Sequence, residues 1–307
     1  MSRRAAIDVG TNSVRLLVAD VPNHPGHDAT FPLRPVARDI AITRLGEGLE
    51  AGGALEPHAA ARTAAAVAAY AARATSLGAP KPEVVGTYAL RVARNPDELF
   101  NRLAFPVRVL TEDEEARLGF RGAVAGLRIR TPRSRILVVD IGGGSVELTV
   151  GTPREVTETH SLALGSVVLT RQFLAGDPPT QSEVRALREH LVRLLDPLLA
   201  RFRRQRPRLV GVGGTITTMA ALAQRLAPYD PERVHGFRLS RATIAHLIAD
   251  LLALPLASRR RLPGLQSERA DIIVAGALVL EHLVVVMDRP SLVVSEADLL
   301  WAILLGS

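Results

Sequence analysis

The 307-residue chain contains no cysteine, which excludes a disulfide framework and any thiolate metal site. Aromatic residues are scarce, at 4%, so no stacking platform for single-stranded nucleic acid is available. Lysine occurs once, at Lys81, and the remaining basic charge is arginine. No apolar run is long enough to span a bilayer. The longest, Ile272 to Met287, is broken by Glu281 and His282 and reads as a buried helix. The N-terminus enters a strand-like segment without a basic, then apolar, leader. The expectation is a cytoplasmic protein with no membrane or nucleic-acid partner.

What is present is sufficient for two ordinary domains with substantial cores, since 47% of the residues are apolar. The formal net charge is +7. With so much alanine, and arginine in place of lysine, this excess fits a GC-rich coding bias as readily as a polyanion footprint, so charge alone does not choose. The runs Arg201-Phe202-Arg203-Arg204-Gln205-Arg206 and Arg259-Arg260-Arg261 read as solvated helix ends or loops.

One pattern occurs twice. Asp8-Val9-Gly10-Thr11-Asn12-Ser13-Val14-Arg15-Leu16 aligns without a gap on Asp140-Ile141-Gly142-Gly143-Gly144-Ser145-Val146-Glu147-Leu148. Each copy reads as an apolar strand, an Asp-x-Gly-x-x-Ser turn and a second apolar strand, which is a β-hairpin. Glycine permits positive φ, and amides gathered at such a turn form an anion nest. An acid beside a phosphate nest calls for a bridging Mg²⁺.

Alternating strands and helices follow each copy, so the chain reads as α/β with a domain-level duplication. The stretch Pro22 to Pro35 is expected to be a turn-rich connection. A helix is expected over 57–77, and another opening with Asn95 as N-cap and Pro96 at its first position. Residues 128–135 read as a linker and possible hinge. One continuous helix is expected over 266–288. Gly213-Gly214-Thr215 ends a buried strand and opens a helix, where free amides attract anions. Arg91, just past a strand end, is placed to hold phosphate bidentately. Any of Glu112, Asp113, Glu114 and Glu115 could serve as a general base; the residues alone do not choose.

The ordered series Asp8-x-Gly-Thr-Asn-Ser13, Leu45-Gly-Glu-Gly-Leu49, Thr87-x-Ala-x-Arg91-x-Ala-x-Asn95, Glu114-Glu115-Ala116-Arg117-Leu118, Asp140-x-Gly-Gly-Gly-Ser145-x-Glu147, Gly165-Ser166-Val167 and Gly213-Gly-Thr215 resembles the exopolyphosphatase/guanosine pentaphosphate phosphohydrolase family. The resemblance covers essentially the whole chain. It implies two ribonuclease H-like domains of the actin-like ATPase superfamily around an interdomain cleft, over residues 1–126 and 127–295, with a last helix at about 296–307 returning to the first. It implies Glu115 as catalytic base and Arg91 on the substrate phosphate. It implies Asp140 and Glu147, with Asp8 as a further candidate, as ligands of Mg²⁺ or Mn²⁺. Gly10, Thr11, Asn12, Ser13, Gly142, Gly143, Gly144, Ser145, Gly213, Gly214 and Thr215 would line the phosphate path. The implied substrate is inorganic polyphosphate, hydrolysed from its end; guanosine pentaphosphate, a non-catalytic sensor role and an ATP-using kinase are the alternatives. A homodimer is the family-level expectation.

Two departures stand out. The chain stops at Ser307, as in the short, two-domain branch. Leu299-Leu300-Trp301-Ala302 stands where the family often has Leu-Arg-Glu-Gly, so the tail is expected to be held mainly by apolar packing.

Overall fold

The computed structural model describes residues 1–22, 33–49 and 53–306. Most of the expected turn-rich connection from Pro22 to Pro35 therefore lies outside the described residues. The chain divides into two compact units. Unit 1 is Met1–Gly126 together with Asp298–Ser307, and unit 2 is Leu127–Ala297.

In unit 1, β1 (Ser2–Val9) and β2 (Ser13–Val21) form the first hairpin, with Asp8 paired to Arg15 and Val9 to Val14. β3 (Arg34–Ile42) extends it antiparallel, and β4 (Glu83–Gly86) and β5 (Val107–Val109) add parallel strands on the other side. The sheet order is β3-β2-β1-β4-β5. In unit 2, β6 (Ile136–Ile141), β7 (Val146–Gly151) and β8 (Val156–Leu162) repeat the antiparallel run. β9 (Arg208–Val212) and β11 (Ser291–Val294) add parallel strands, and β10 (Arg238–Ser240) closes the edge. Read from the hairpin side, β8-β7-β6-β9-β11 repeats the order of unit 1. The duplication seen in the sequence is thus a duplication of sheet topology.

Each sheet is covered by a helix whose apolar stripe has the helical period. In unit 1 the helix Pro57–Ser76 buries Ala59, Ala60, Ala64, Val67, Ala71 and Ala74, and these small side chains let it lie close to the strands. In unit 2 the helix Gln181–Arg204 buries Leu187, Leu191, Leu195 and Leu199, one every fourth residue, and Phe202. Each fully buried leucine contributes roughly 2 kcal/mol of transfer free energy. This helix starts one residue earlier than the sequence suggests, because Thr180 and Glu183 form a reciprocal capping box. It packs on the helix Ile273–Val286, which is buried on nearly every side.

Three expectations need correction, and one gains a detail. Asn95 is not a helix cap: its side chain spans to Leu55, accepting from the Leu55 amide at 2.6 Å and donating to the Leu55 carbonyl at 3.2 Å. The helix that follows begins at Asp97. The continuous helix expected over 266–288 is broken into a 3-10 turn, Ser267–Arg269, and the helix Ile273–Val286; Arg269 is held there by its Nε donating to Gln266 at 2.8 Å. Arg259 is not solvated. It is 4% exposed and pairs with Asp177 at 2.8 Å. The tail has a polar anchor as well as apolar packing. Leu299 to Leu304 are buried, while the Asp298 carboxylate accepts from both Arg15 and the Leu300 amide.

The tail helix Leu299–Leu305 packs on the helix Glu112–Gly126. Gly122 makes this possible, since a Cβ there would stand 1.8 Å from the Asp298 carbonyl oxygen. Gly122→Ala would ordinarily favour a helix by about 1 kcal/mol. Here overpacking against rigid backbone dominates, and a net loss of about 2 kcal/mol is expected in denaturant unfolding. A stability gain would show that the tail does not dock at Gly122.

Candidate active site

The two hairpin turns are held from behind. In unit 2 the turn carbonyls are consumed by the start of the helix Ser166–Phe173. Gly142 O accepts from Ser166 N at 2.9 Å, Gly143 O from Val167 N at 2.9 Å, and Gly144 O from Gly165 N at 3.2 Å. Among the described residues the amides of Gly143, Gly144 and Ser145 have no turn or loop backbone acceptor, which is the arrangement of an anion nest. In unit 1 the loop Leu45-Gly46-Glu47-Gly48-Leu49 and the residues before it do the same work. Thr11 O accepts from Gly46 N at 2.8 Å, and Asn12 O accepts from the amides of Thr43 and Arg44.

The glycines serve close approach rather than backbone chirality. None of Gly10, Gly142, Gly143 and Gly144 takes the positive φ expected from the sequence. A Cβ at Gly165 would lie 2.3 Å from the Gly143 backbone, and one at Gly46 would lie 2.4 Å from the Thr11 side chain. Of the glycines implicated in the site, Gly213 does adopt a left-handed backbone, with φ of +86°. A Cβ there would stand 2.2 Å from Asp140 Oδ1. Asp140 therefore lies against the N-terminus of the helix Gly213–Gln224.

Gly214 makes room for the guanidinium of Arg269, because a Cβ at Gly214 would lie 2.1 Å from Arg269 Nη1. Arg269 is buried and was not anticipated from the sequence. Its only sequence signal was a place inside an apparently continuous helix. Thr215 is turned against Gly276 of the helix Ile273–Val286, where a Cβ would meet its hydroxyl at 2.6 Å.

The same cross-strand position carries opposite electrostatics in the two hairpins. In unit 1 Asp8 faces Arg15, and the two pair at 2.6 Å. In unit 2 Asp140 faces Glu147. Glu147 is buried and accepts from the Ser161 hydroxyl at 2.9 Å. Like charges directly opposite on a sheet are destabilising. A divalent cation would relieve that repulsion, and two carboxylates completed by water and substrate oxygens suit Mg²⁺. Among the described residues no group of three or more His, Cys, Asp or Glu side chains is placed to hold a metal. Asp8, the further metal candidate, is instead engaged by Arg15, although its Oδ1 is buried without a partner.

The four acids at the start of the helix Glu112–Gly126 separate cleanly. Glu114 forms a capping box with Thr111, accepting from its amide at 2.8 Å, which lowers the Glu114 pKa. Asp113 pairs with Arg117 at 2.6 Å. Glu112 is exposed. Glu115 points to Arg91, whose Nη1 donates to it at 2.7 Å and to the Leu110 carbonyl at 3.0 Å. Burial pushes the Glu115 carboxyl up to about 7, against the opposing pull of Arg91.

Arg91 sits on the short helix Tyr88–Val92, immediately after β4. Its Nε and Nη2, adjacent donors on one edge of the guanidinium, are buried with no partner among the described residues. The Asn12 amide nitrogen is also buried and unpartnered. An open guanidinium edge matches a phosphate or carboxylate bidentately.

The profile of the Ppx/GppA phosphatase family matches residues 21–300. Exopolyphosphatase 2 of Mycobacterium tuberculosis is 37% identical over 320 residues, covering 100% of this chain and 98% of that protein. The solved PPX-GPPA enzyme of Aquifex aeolicus is 30% identical, with a TM-score of 0.81 over 100% of this chain and 99% of the other. A Cytophaga hutchinsonii exopolyphosphatase structure shares the fold, with a TM-score of 0.87 at 24% identity over 99% of this chain and 96% of that one. The chain belongs to the Ppx/GppA phosphatase family. Its fold is that of the actin-like ATPase superfamily, and membership makes it a phosphoanhydride hydrolase.

The raised Glu115 pKa has a stability consequence. Folding disfavours the ionised form, so the full contribution of this residue is present below about pH 4.5 and is lost as pH rises through about 7. Glu115→Gln has no such titration. The melting temperature of the variant, relative to the native chain, should therefore climb between pH 5 and pH 8. A difference that stays flat across this range would mean that Glu115 ionises freely.

Proposed function

We propose that the protein is an exopolyphosphatase that removes terminal phosphate from inorganic polyphosphate. The observation that carries this reading is the Arg91–Glu115 pair: one guanidinium edge is bonded to a carboxylate titrating near 7, and the other edge is open and buried. The open edge takes two oxygens of the terminal phosphoryl group. Glu115 orients a water, whose oxygen attacks the terminal phosphorus as its proton passes to the carboxylate. The anhydride P–O bond breaks, the electron pair leaves with the shortened polyphosphate, and orthophosphate is released. Phosphoryl transfer needs positioning and charge stabilisation above all, and a base near neutrality is suited to physiological pH.

In unit 2, the amides of Gly143, Gly144 and Ser145 and the N-terminus of the helix Gly213–Gln224, with Arg269 beside it, bind phosphate oxygens. Asp140 and Glu147 would hold Mg²⁺ or Mn²⁺, which supplies charge neutralisation to substrate phosphate when bound. The acid pair supports this assignment, since it faces itself across the strands where unit 1 has an acid and a base.

Orthophosphate release with Mg²⁺ should be measured on short and long polyphosphate and on guanosine pentaphosphate. Release from polyphosphate is expected. Glu115→Gln should lower kcat by about 10²–10⁴-fold, the ordinary worth of a positioned base. EDTA should abolish release, with Mg²⁺ restoring it. Release from the nucleotide alone would reassign the substrate, and tight binding without release from any of the three would identify a sensor.

A further inference from the structure

Two arginines stand in the acid cluster of unit 1, and they are held in opposite ways. Arg91 keeps one edge open. Arg15 is committed at all three nitrogens: Nε and Nη2 donate to Asp8 Oδ2 at 3.0 and 2.6 Å, and Nη1 donates to Asp298 Oδ2. Arg15 stands on β2 two residues after Ser13, opposite Asp8 and next to the hairpin turn, and its charge acts on the Glu115 carboxyl.

Asp298 is fixed at three points. Its Oδ1 accepts from the Leu300 amide at 3.0 Å, capping the tail helix. Its Oδ2 takes Arg15. Its backbone carbonyl presses on Gly122, in the helix whose first turn carries Glu115. We propose that Asp298 is a positioning residue that commits Arg15 to Asp8 and withholds its guanidinium from substrate phosphate.

This deepens the polyphosphatase reading and rests on it. A second open arginine would grip the phosphate chain equally in the ground state and the transition state. Such uniform binding lowers KM without raising kcat, and holds product as firmly as substrate. With Arg15 paired to two carboxylates, Arg91 is the one of these two arginines that keeps an edge open. The arrangement also depends on an aspartate in particular. Both aspartate oxygens accept, one from Leu300 and one from Arg15. Asparagine at 298 has a single oxygen. It remains a good helix cap, but its NH₂ then meets Arg15 donor to donor and releases Nη1.

The test is a binding cycle supported by kinetics. Tripolyphosphate binding is measured by calorimetry in EDTA, where no turnover is needed, for the native chain, Asp298→Asn, Arg15→Gln and the double variant. Asp298→Ser is included as a second variant, since serine caps a helix but offers Arg15 no carboxylate. The expected result is a Kd at least about 10-fold lower for Asp298→Asn and Asp298→Ser, the scale of one new charge-assisted hydrogen bond. This gain should vanish when Arg15→Gln is added. On polyphosphate with Mg²⁺, KM should fall with kcat unchanged or reduced. If both single variants at 298 bind tripolyphosphate as the native chain does or more weakly, or if the gain survives Arg15→Gln, the proposal is overturned and Asp298 is only a helix cap. A native chain that releases no phosphate from polyphosphate would sink the substrate assignment, while the binding cycle would still decide the role of Asp298.

Discussion

The chemistry of both units depends on the way their hairpin turns are held from behind. A glycine-rich turn is by itself a loose object, with carbonyls and amides competing for the same space. Here the carbonyls of residues 142–144 and of Thr11 and Asn12 are bonded to a neighbouring segment of the same unit. That leaves the amides of Gly143, Gly144 and Ser145 as donors without a turn or loop backbone acceptor among the described residues, held in place by backbone bonds. The price is tight contact. Gly165 and Gly46 cannot carry a side chain without displacing the turn they support. Motifs that look unrelated in the sequence, Leu45 to Leu49 and Gly165 to Val167, are thus equivalent parts: each braces the turn of its own unit.

Duplication supplied one scaffold, and a single cross-strand position then separated the two copies. Arg15 against Asp8 makes a neutralised pair, while Glu147 against Asp140 makes an acid pair. The backbone registers are the same, so the difference lies in the side chains alone. The first pair fixes charge inside the protein. The second concentrates negative charge beside a nest and a helix N-terminus, both of which favour anions. This contrast is what the proposed Mg²⁺ site in unit 2 rests on.

Much of this was legible in the sequence, and the rest was hidden for identifiable reasons. The duplicated hairpins were visible because strand alternation and turn composition are local, and β1/β2 and β6/β7 fall where that pattern places them. Glycine's role was misjudged. Composition reports a need for glycine but not whether it arises from φ or from crowding, and crowding depends on segments such as Gly165 that are remote from the turn. Asn95 beside Pro96 has a cap's composition, yet its amide is satisfied by Leu55, forty residues away. Arg259 looks like a surface arginine because its burial depends on Asp177, 82 residues away, which no local window contains. Asp298 reads from the sequence only as the start of the last helix. Its importance comes from facing Arg15, 283 residues earlier in the chain.

The ion pairs of unit 1 are poor candidates for holding the fold together. Taking charges out of water costs several kcal/mol per ion, and a buried pair often does no better than apolar side chains of the same size. The aliphatic cores beneath the two sheets supply stability at less cost. What Asp8, Arg15, Asp298, Arg91 and Glu115 provide is orientation. Each arginine has its direction set by at least one carboxylate, and the Leu110 carbonyl further fixes Arg91. Replacing such a cluster by well-packed leucines would spare the sheet. It would remove the pairing of a base of raised pKa with an open guanidinium edge that Glu115 and Arg91 hold.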